Sequence, residues 1–140
     1  MPKGTASQEM VAKVLHTAVA QGAGTVNGTG IDCRGYDEAL IVLSLGIIPS
    51  NGTVDVKIQE SSDNGVADTF ADVSGAAFAQ KVAGTGTLTY VGRINLRGRE
   101  RYLRTVVVVA NQTVPMAVTA ILSQAQINPV TQVNTVGFNV

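Results

Sequence analysis

The stretch Thr53-Val54-Asp55-Val56-Lys57-Ile58-Gln59-Glu60 decides the fold class of this chain. Val54, Val56 and Ile58 alternate with polar or charged side chains. Because successive side chains of a β-strand point to opposite faces, this alternation predicts a strand with one face in a core and the other in solvent. Residues 39–48, which precede it, are almost continuously apolar and predict a central strand.

Signals on both sides of this pair extend the β pattern. Ser50-Asn51-Gly52 between the two apolar stretches predicts a tight hairpin, because Asn and Gly both tolerate positive φ. A short strand or bent connection is predicted over residues 70–78, and further strands over residues 88–96, 102–110 and 115–127. The side chains predicted to face the core are Val54, Val56, Ile58, Leu88, Ile94, Val106 and Val108.

Residues 8–20 are ambiguous between helix and strand. Met10, Val11, Val14 and Leu15 fit a helical stripe, and Thr5-x-x-Gln8 fits a capping box. The second half of the segment is dominated by Val and Thr and is followed by a glycine-rich stretch. Because β-branched residues favour strands, we favour the strand.

These signals predict an all-β protein of 140 residues with seven or eight strands. Consecutive antiparallel strands with short turns predict an antiparallel β-sandwich, jelly-roll-like in its connections. We place the sandwich domain at residues 9–127, with an N-terminal arm at residues 1–8 and an extended C-terminal arm at residues 128–140.

Charge is sparse and unevenly distributed. Charged residues make up 14% of the chain, below the usual ~25%, and the formal net charge is zero. Residues 1–72 carry a net charge of −5 and residues 73–140 a net charge of +5, with no charged side chain after Arg104. We interpret the bare C-terminal quarter as central strands or as surface that a partner covers. No apolar stretch follows Lys3 as in a secretory signal, so we expect synthesis in a cytoplasm.

Candidate catalytic groups are few. The single His16 has no His or Cys at metal-ligand spacing, and the single Cys33 is typical of a small buried apolar residue. Asp63-Asn64-Gly65 followed by Asp68 and Asp72 is typical of a polar turn, because calcium needs six or more ligands. The sequence therefore predicts a protein that is not an enzyme and that holds no metal or cofactor.

An arginine cluster is the strongest positive signal, since half of the basic residues lie within twelve positions. Three interpretations stay open: a weak nucleic-acid site, a solvated hairpin whose arginines pair with the acidic half of the fold, and a protein interface. The cluster comprises Arg93, Arg97, Arg99, Arg101 and Arg104.

Three stretches resemble a known family. They are Gly30-Ile31-Asp32-Cys33-Arg34-Gly35-Tyr36-Asp37-Glu38-Ala39, the hairpin sequence of residues 52–63 followed by residues 70–76, and Arg99-Glu100-Arg101-Tyr102-Leu103-Arg104. Over residues 28–110 the chain resembles the capsid decoration, or cement, proteins of tailed bacteriophages, especially the jelly-roll cementing type of short-tailed phages. The resemblance implies no catalytic residues. It implies a virion protein on the outer surface of the capsid, made in the bacterial host cytoplasm, that stabilises the shell against the pressure of its DNA.

We therefore predict a structural protein whose partners are the major capsid protein and a second copy of itself. A homodimer is favoured and a trimer comes second, with no direct nucleic acid and no membrane. The alternative is a carbohydrate- or receptor-binding virion domain, which the absence of Trp and the low count of Phe and Tyr argue against. The predicted interface residues are the five arginines of the cluster together with Pro129, Val133, Val136 and Phe138.

Overall fold

Strands dominate residues 9–84 and 88–126, the part of the chain that the computed structural model describes. The alternating stretch at residues 53–60 is a strand, as predicted, and residues 39–48 fall largely in the strand before it. The strands are β1 (Val11–Gln21), β2 (Gly24–Asn27), β3 (Ile31–Asp32), β4 (Tyr36–Leu45), β5 (Thr53–Ser61), β6 (Ala71–Ala77), β7 (Lys81–Val82), β8 (Leu88–Asn95), β9 (Tyr102–Ala110) and β10 (Val114–Ala125).

Two antiparallel sheets share these strands. Sheet A has the order β1-β10-β4-β8, and sheet B has the order β2-β9-β5-β6, with β3 added on β9 and β7 on β5. The inner faces of the two sheets form one apolar core. This confirms the predicted all-β sandwich.

One row of side chains shows how the core is built. Val11, Leu122, Ala39 and Ile94 are successive cross-strand neighbours through all four strands of sheet A. None of them exceeds 7% exposure. Burial of such a row stabilises the sandwich by removing apolar surface from water.

The ambiguous segment is a strand over Val11–Gln21, which confirms the favoured interpretation. The apparent helical stripe comes from bulges, because the register with β10 shifts between Val14 and His16 and again before Val19. An extra residue in a bulge reverses the alternation. Leu15 and His16 are therefore both buried, although they are adjacent.

The predicted hairpin at Ser50-Asn51-Gly52 is wrong. Asn51 has the expected positive φ of 65°. However, β4 lies in sheet A and β5 in sheet B, so this turn carries the chain from one sheet to the other. The turn residues specify a sharp reversal, and they do not specify which strands pair after it.

Two predicted core residues are corrected by the structure. Val106 and Val108 lie on the outer face of β9, since Leu103, Thr105, Val107 and Val109 form its inner face. Val108 is 36% exposed, whereas Val106 is buried outside the core cluster.

Leu88 is 45% exposed, although it shares the face of the buried Ile94. It lies at the first position of its strand, and its predicted place in the core is wrong. The predictions for Val54, Val56, Ile58 and Ile94 are confirmed, because all four are buried.

Candidate interaction surface

The outer face of sheet B is a polar ladder. Lys57 Nζ lies 2.8 Å from Asp72 Oδ2, and Gln59 Nε2 donates to Asp72 Oδ1 at 2.8 Å. Arg104 Nη2 donates to Gln59 Oε1 at 2.8 Å. Since these polar groups satisfy one another across three strands, this face is an ordinary solvated surface.

The outer face of sheet A is different in kind. Val14, Thr119, Val42 and Val91 form an uncharged row of direct cross-strand neighbours through all four strands. The two end members are 56% and 63% exposed, and Thr119 and Val42 are half-buried. This row leaves branched, uncharged side chains at least partly in solvent on every strand of the sheet.

A second apolar row lies beside the first. Ala12, Ile121 and Leu40 are cross-strand neighbours, and Arg93 ends the row on β8. Within the described strands of sheet A, the only charged side chains on this outer face are Arg93 and Glu38, which pair with each other at 3.0 Å. The centre of the face is therefore apolar and neutral. We call the two rows together the apolar face.

Such a face is suited to binding protein. Large contiguous patches of exposed apolar surface are rare on monomers and typically mark interaction sites. Interface centres are depleted in charge, and charged groups lie at their rims. Here the Arg93–Glu38 pair occupies the rim.

Sequence reasoning missed the apolar face, because the continuous apolar run at residues 39–48 predicts a strand buried on both sides. The structure buries only alternate positions: Ala39, Ile41, Leu43 and Leu45 face the core. Leu40 and Val42 are the half-buried alternates. The signal was the charge-free sequence after Arg104, which we interpreted as central strands or covered surface.

The five predicted arginines lie on β8, on β9 and in the turn between them, with Arg93 on the outer face of sheet A and Arg104 on the outer face of sheet B, and we call them the arginine belt. Each has a partner within the chain, and every partner comes from residues 32–60. The shortest contacts are Arg93 to Glu38 at 3.0 Å, Arg97 to Asp37 at 3.0 Å, Arg99 to Glu60 at 3.3 Å, Arg101 to Asp32 at 2.7 Å and Arg104 to the Gln59 side-chain oxygen at 2.8 Å.

These pairs set the electrostatics of the belt. Hydrogen bonding to Arg101 holds the pKa of Asp32 below its ordinary value. Hydrogen bonds from Gln126 and then from Arg97 lower the pKa of Asp37 in the same way. The opposite charges of the two chain halves thus meet within one molecule. The charge split is therefore no argument for association between copies, and the role of the belt in an interface stays a prediction.

The other predicted interface residues lie outside the described part of the chain, as do the two predicted arms at residues 1–8 and 128–140. These residues are Pro129, Val133, Val136 and Phe138.

The single cysteine and the single histidine are both buried. Cys33 is 4% exposed, and burial raises the pKa of its thiol to about 12, so it is an apolar core residue. His16 is 5% exposed, and among residues 9–84 and 88–126 its Nε2 atom has no hydrogen-bond partner. Within the same residues, no three His, Cys, Asp or Glu side chains converge as metal ligands, and no helix is long and apolar enough to cross a membrane.

Two solved structures align with most of this chain. The crystal structure of the SPBc2 prophage-derived protein YomS aligns with a TM-score of 0.52 and 12% sequence identity, covering 82% of this chain and 93% of that chain. The two proteins share a fold. A structure of Bacillus endospore appendages, which are disulfide-linked pili, aligns with a TM-score of 0.45 and 14% identity over 88% of this chain and 93% of that chain. No protein-family model and no curated protein sequence matches the chain.

Proposed function

We propose that this chain is a structural protein of a phage virion, which binds the outer surface of the capsid and cements major capsid subunits. The observation that carries the proposal is the apolar face of sheet A, an uncharged exposed surface that crosses four strands. The resemblance of residues 28–110 to capsid decoration proteins supplies the partner. The fold shared with a prophage-derived protein is in keeping with a phage origin.

In this proposal the apolar face lies against the shell and excludes water from the centre of the contact. The arginine belt lies on the same sandwich, with Arg93 and Arg97 more than 70% exposed. Guanidinium groups in this position form additional pairs with carboxylates of the shell. The apolar centre supplies most of the affinity, and the charged rim guides the approach and sets the salt dependence.

The experiment uses shells of the phage that carries this gene, prepared without the chain. Purified chain is added, and the protein that pellets with the shells is measured over a concentration series. We expect saturable binding, together with a higher temperature of shell disruption. Absence of pelleting contradicts shell binding, and pelleting without any gain in heat resistance contradicts cementing.

A further inference from the structure

A narrow apolar cleft opens at one side of the sandwich. There β8 ends sheet A, and β6 ends sheet B. The cleft has a volume of about 140 Å³, and its walls include Ile41, Ile58 and Phe78. Gly92 contributes no side chain, which leaves the space open.

The size of the cleft indicates what it accommodates. An apolar cavity of about 150 Å³ in a protein binds a benzene ring. The cleft therefore has room for one aromatic side chain. The side chains that line it are apolar except that of Arg93, so the cleft suits an uncharged group.

The adjacent edge of sheet A offers a second means of binding. In the described part of the chain, β8 pairs only with β4, which leaves its other edge open. An extended segment can add to such an edge through main-chain hydrogen bonds, and its alternate side chains then reach neighbouring pockets.

The sequence of this chain contains a segment that fits both features. Thr135-Val136-Gly137-Phe138-Asn139-Val140 has an apolar side chain at every second position and no charged side chain. Its central apolar residue is an aromatic ring, which matches the capacity of the cleft.

Chain length indicates which copy the segment reaches. The backbone amide of Gln126 donates to Gly35 O at 2.8 Å beside the start of β4, the strand next to β8. The cleft of the same chain, at Ile41 and Gly92, is thus about two strand spacings across and six residues along β4 from this point, or ~20 Å. Phe138 lies twelve residues beyond Gln126, a reach of ~40 Å when extended. The segment is therefore long enough to pass its own cleft and reach that of a neighbouring copy.

We propose that the C-terminal segment of one copy adds a strand to β8 of a second copy and places Phe138 in its cleft. Two copies exchange these segments about a twofold axis, which gives a homodimer. The contact forms in solution and does not depend on shell binding, so either proposal can fail without the other.

Two full-length variants test the proposal. Phe138→Ala removes the ring, and Gly92→Leu fills the cleft. A Cβ at Gly92 meets the Phe78 ring at 3.4 Å, which is ordinary contact, so the first carbon of the new side chain is accommodated. The matched controls are Asn139→Ala in the segment and Thr89→Leu on the outer face of β8. Circular dichroism and thermal unfolding verify that each variant folds.

Sedimentation velocity at micromolar concentration is the readout. We expect a dimer for the parent and both controls, and at least a roughly tenfold weaker dimer for each test variant. An equal mixture of the two test variants should recover part of the association, because one supplies an intact segment and the other an open cleft. A monomeric parent, test variants that dimerise like the parent, or a mixture without recovery would each overturn the proposal. If Gly92→Leu fails to fold, Phe138→Ala alone tests the proposal, because this variant must still form a weaker dimer than the parent.

Discussion

The hydroxyl of Thr105 donates a hydrogen bond to the backbone carbonyl of Leu15 across the gap between the two sheets, with the oxygen atoms 3.2 Å apart. Leu15 is the extra residue of a bulge in β1, so its carbonyl lies outside the regular ladder with β10. Thr105 is fully buried. One polar side chain in the core therefore compensates for the irregularity that buries both Leu15 and His16.

The first prediction concerns this bond. Thr105→Val keeps the shape of the side chain and leaves the Leu15 carbonyl without its donor. We expect the free energy of unfolding to fall by about 1–3 kcal/mol, measured by urea denaturation. Thr89→Val, at an exposed position on β8, is the control and should change stability by less than ~0.5 kcal/mol. Equal effects of the two changes would show that the bond contributes nothing.

The second prediction tests the register of β9. Val107 is fully buried and Val108 is 36% exposed, so a hydroxyl at the first position enters the core and at the second meets solvent. We expect Val107→Thr to cost about 1–3 kcal/mol and Val108→Thr less than ~0.5 kcal/mol in urea denaturation. The reverse order would mean that the face of this strand is inverted.

The contrast between β5 and β9 shows what the sequence can predict. On β5, charged and apolar side chains alternate, so both the strand and its inner face are evident from the sequence. On β9, four consecutive valines identify a strand but leave its two faces equivalent. The inner face is then decided by the strands that pack against it, and these come from distant parts of the chain.

The candidate interaction surface, too, could be predicted only in part. The arginines were conspicuous in the sequence, but their partners, such as Asp32 and Asp37, were not, because each pair depends on the pairing of strands that are far apart in sequence: β3 with β9, and β4 with β8. The apolar face was hidden for a related reason. Val14 and Val91 are far apart in sequence and become members of one row only through β10 and β4.

The third prediction concerns pH. Burial lowers the pKa of His16 below its ordinary value, so the folded protein binds this proton less readily than the unfolded chain does. Stability from this group is complete above the unfolded pKa of ~6.5 and is lost as the pH falls below it. We expect the parent to lose more unfolding free energy between pH 7 and pH 5 than the His16→Leu variant. The measurement is urea denaturation at both pH values, and identical losses would contradict a buried neutral imidazole.

The fourth prediction concerns the arginine belt. Replacing Arg97, Arg99 and Arg101 together with Ala should weaken shell binding at low salt and flatten its salt dependence, because exposed ion pairs are screened. Pelleting with shells across a salt series measures this effect. Lys57→Ala, which removes an ion pair from the outer face of sheet B, is the control. Binding that is unchanged at every salt concentration would show that the arginine belt makes no contact with the shell and forms only its pairs within the chain.

Binding of the shell by the apolar face of sheet A can be tested with a lysine introduced on either of the two outer faces. Val14→Lys places a cation on the apolar face, and Val108→Lys places one on the outer face of sheet B; both valines are exposed strand residues. The measurement is the dissociation constant for undecorated shells, determined by pelleting after both variants are shown to fold. We expect at least tenfold weaker binding for Val14→Lys and parental binding for Val108→Lys, because an interface that excludes water does not accept an unpaired charge within its apolar row. Parental binding by Val14→Lys, or a loss confined to Val108→Lys, would show that the apolar face does not bind the shell.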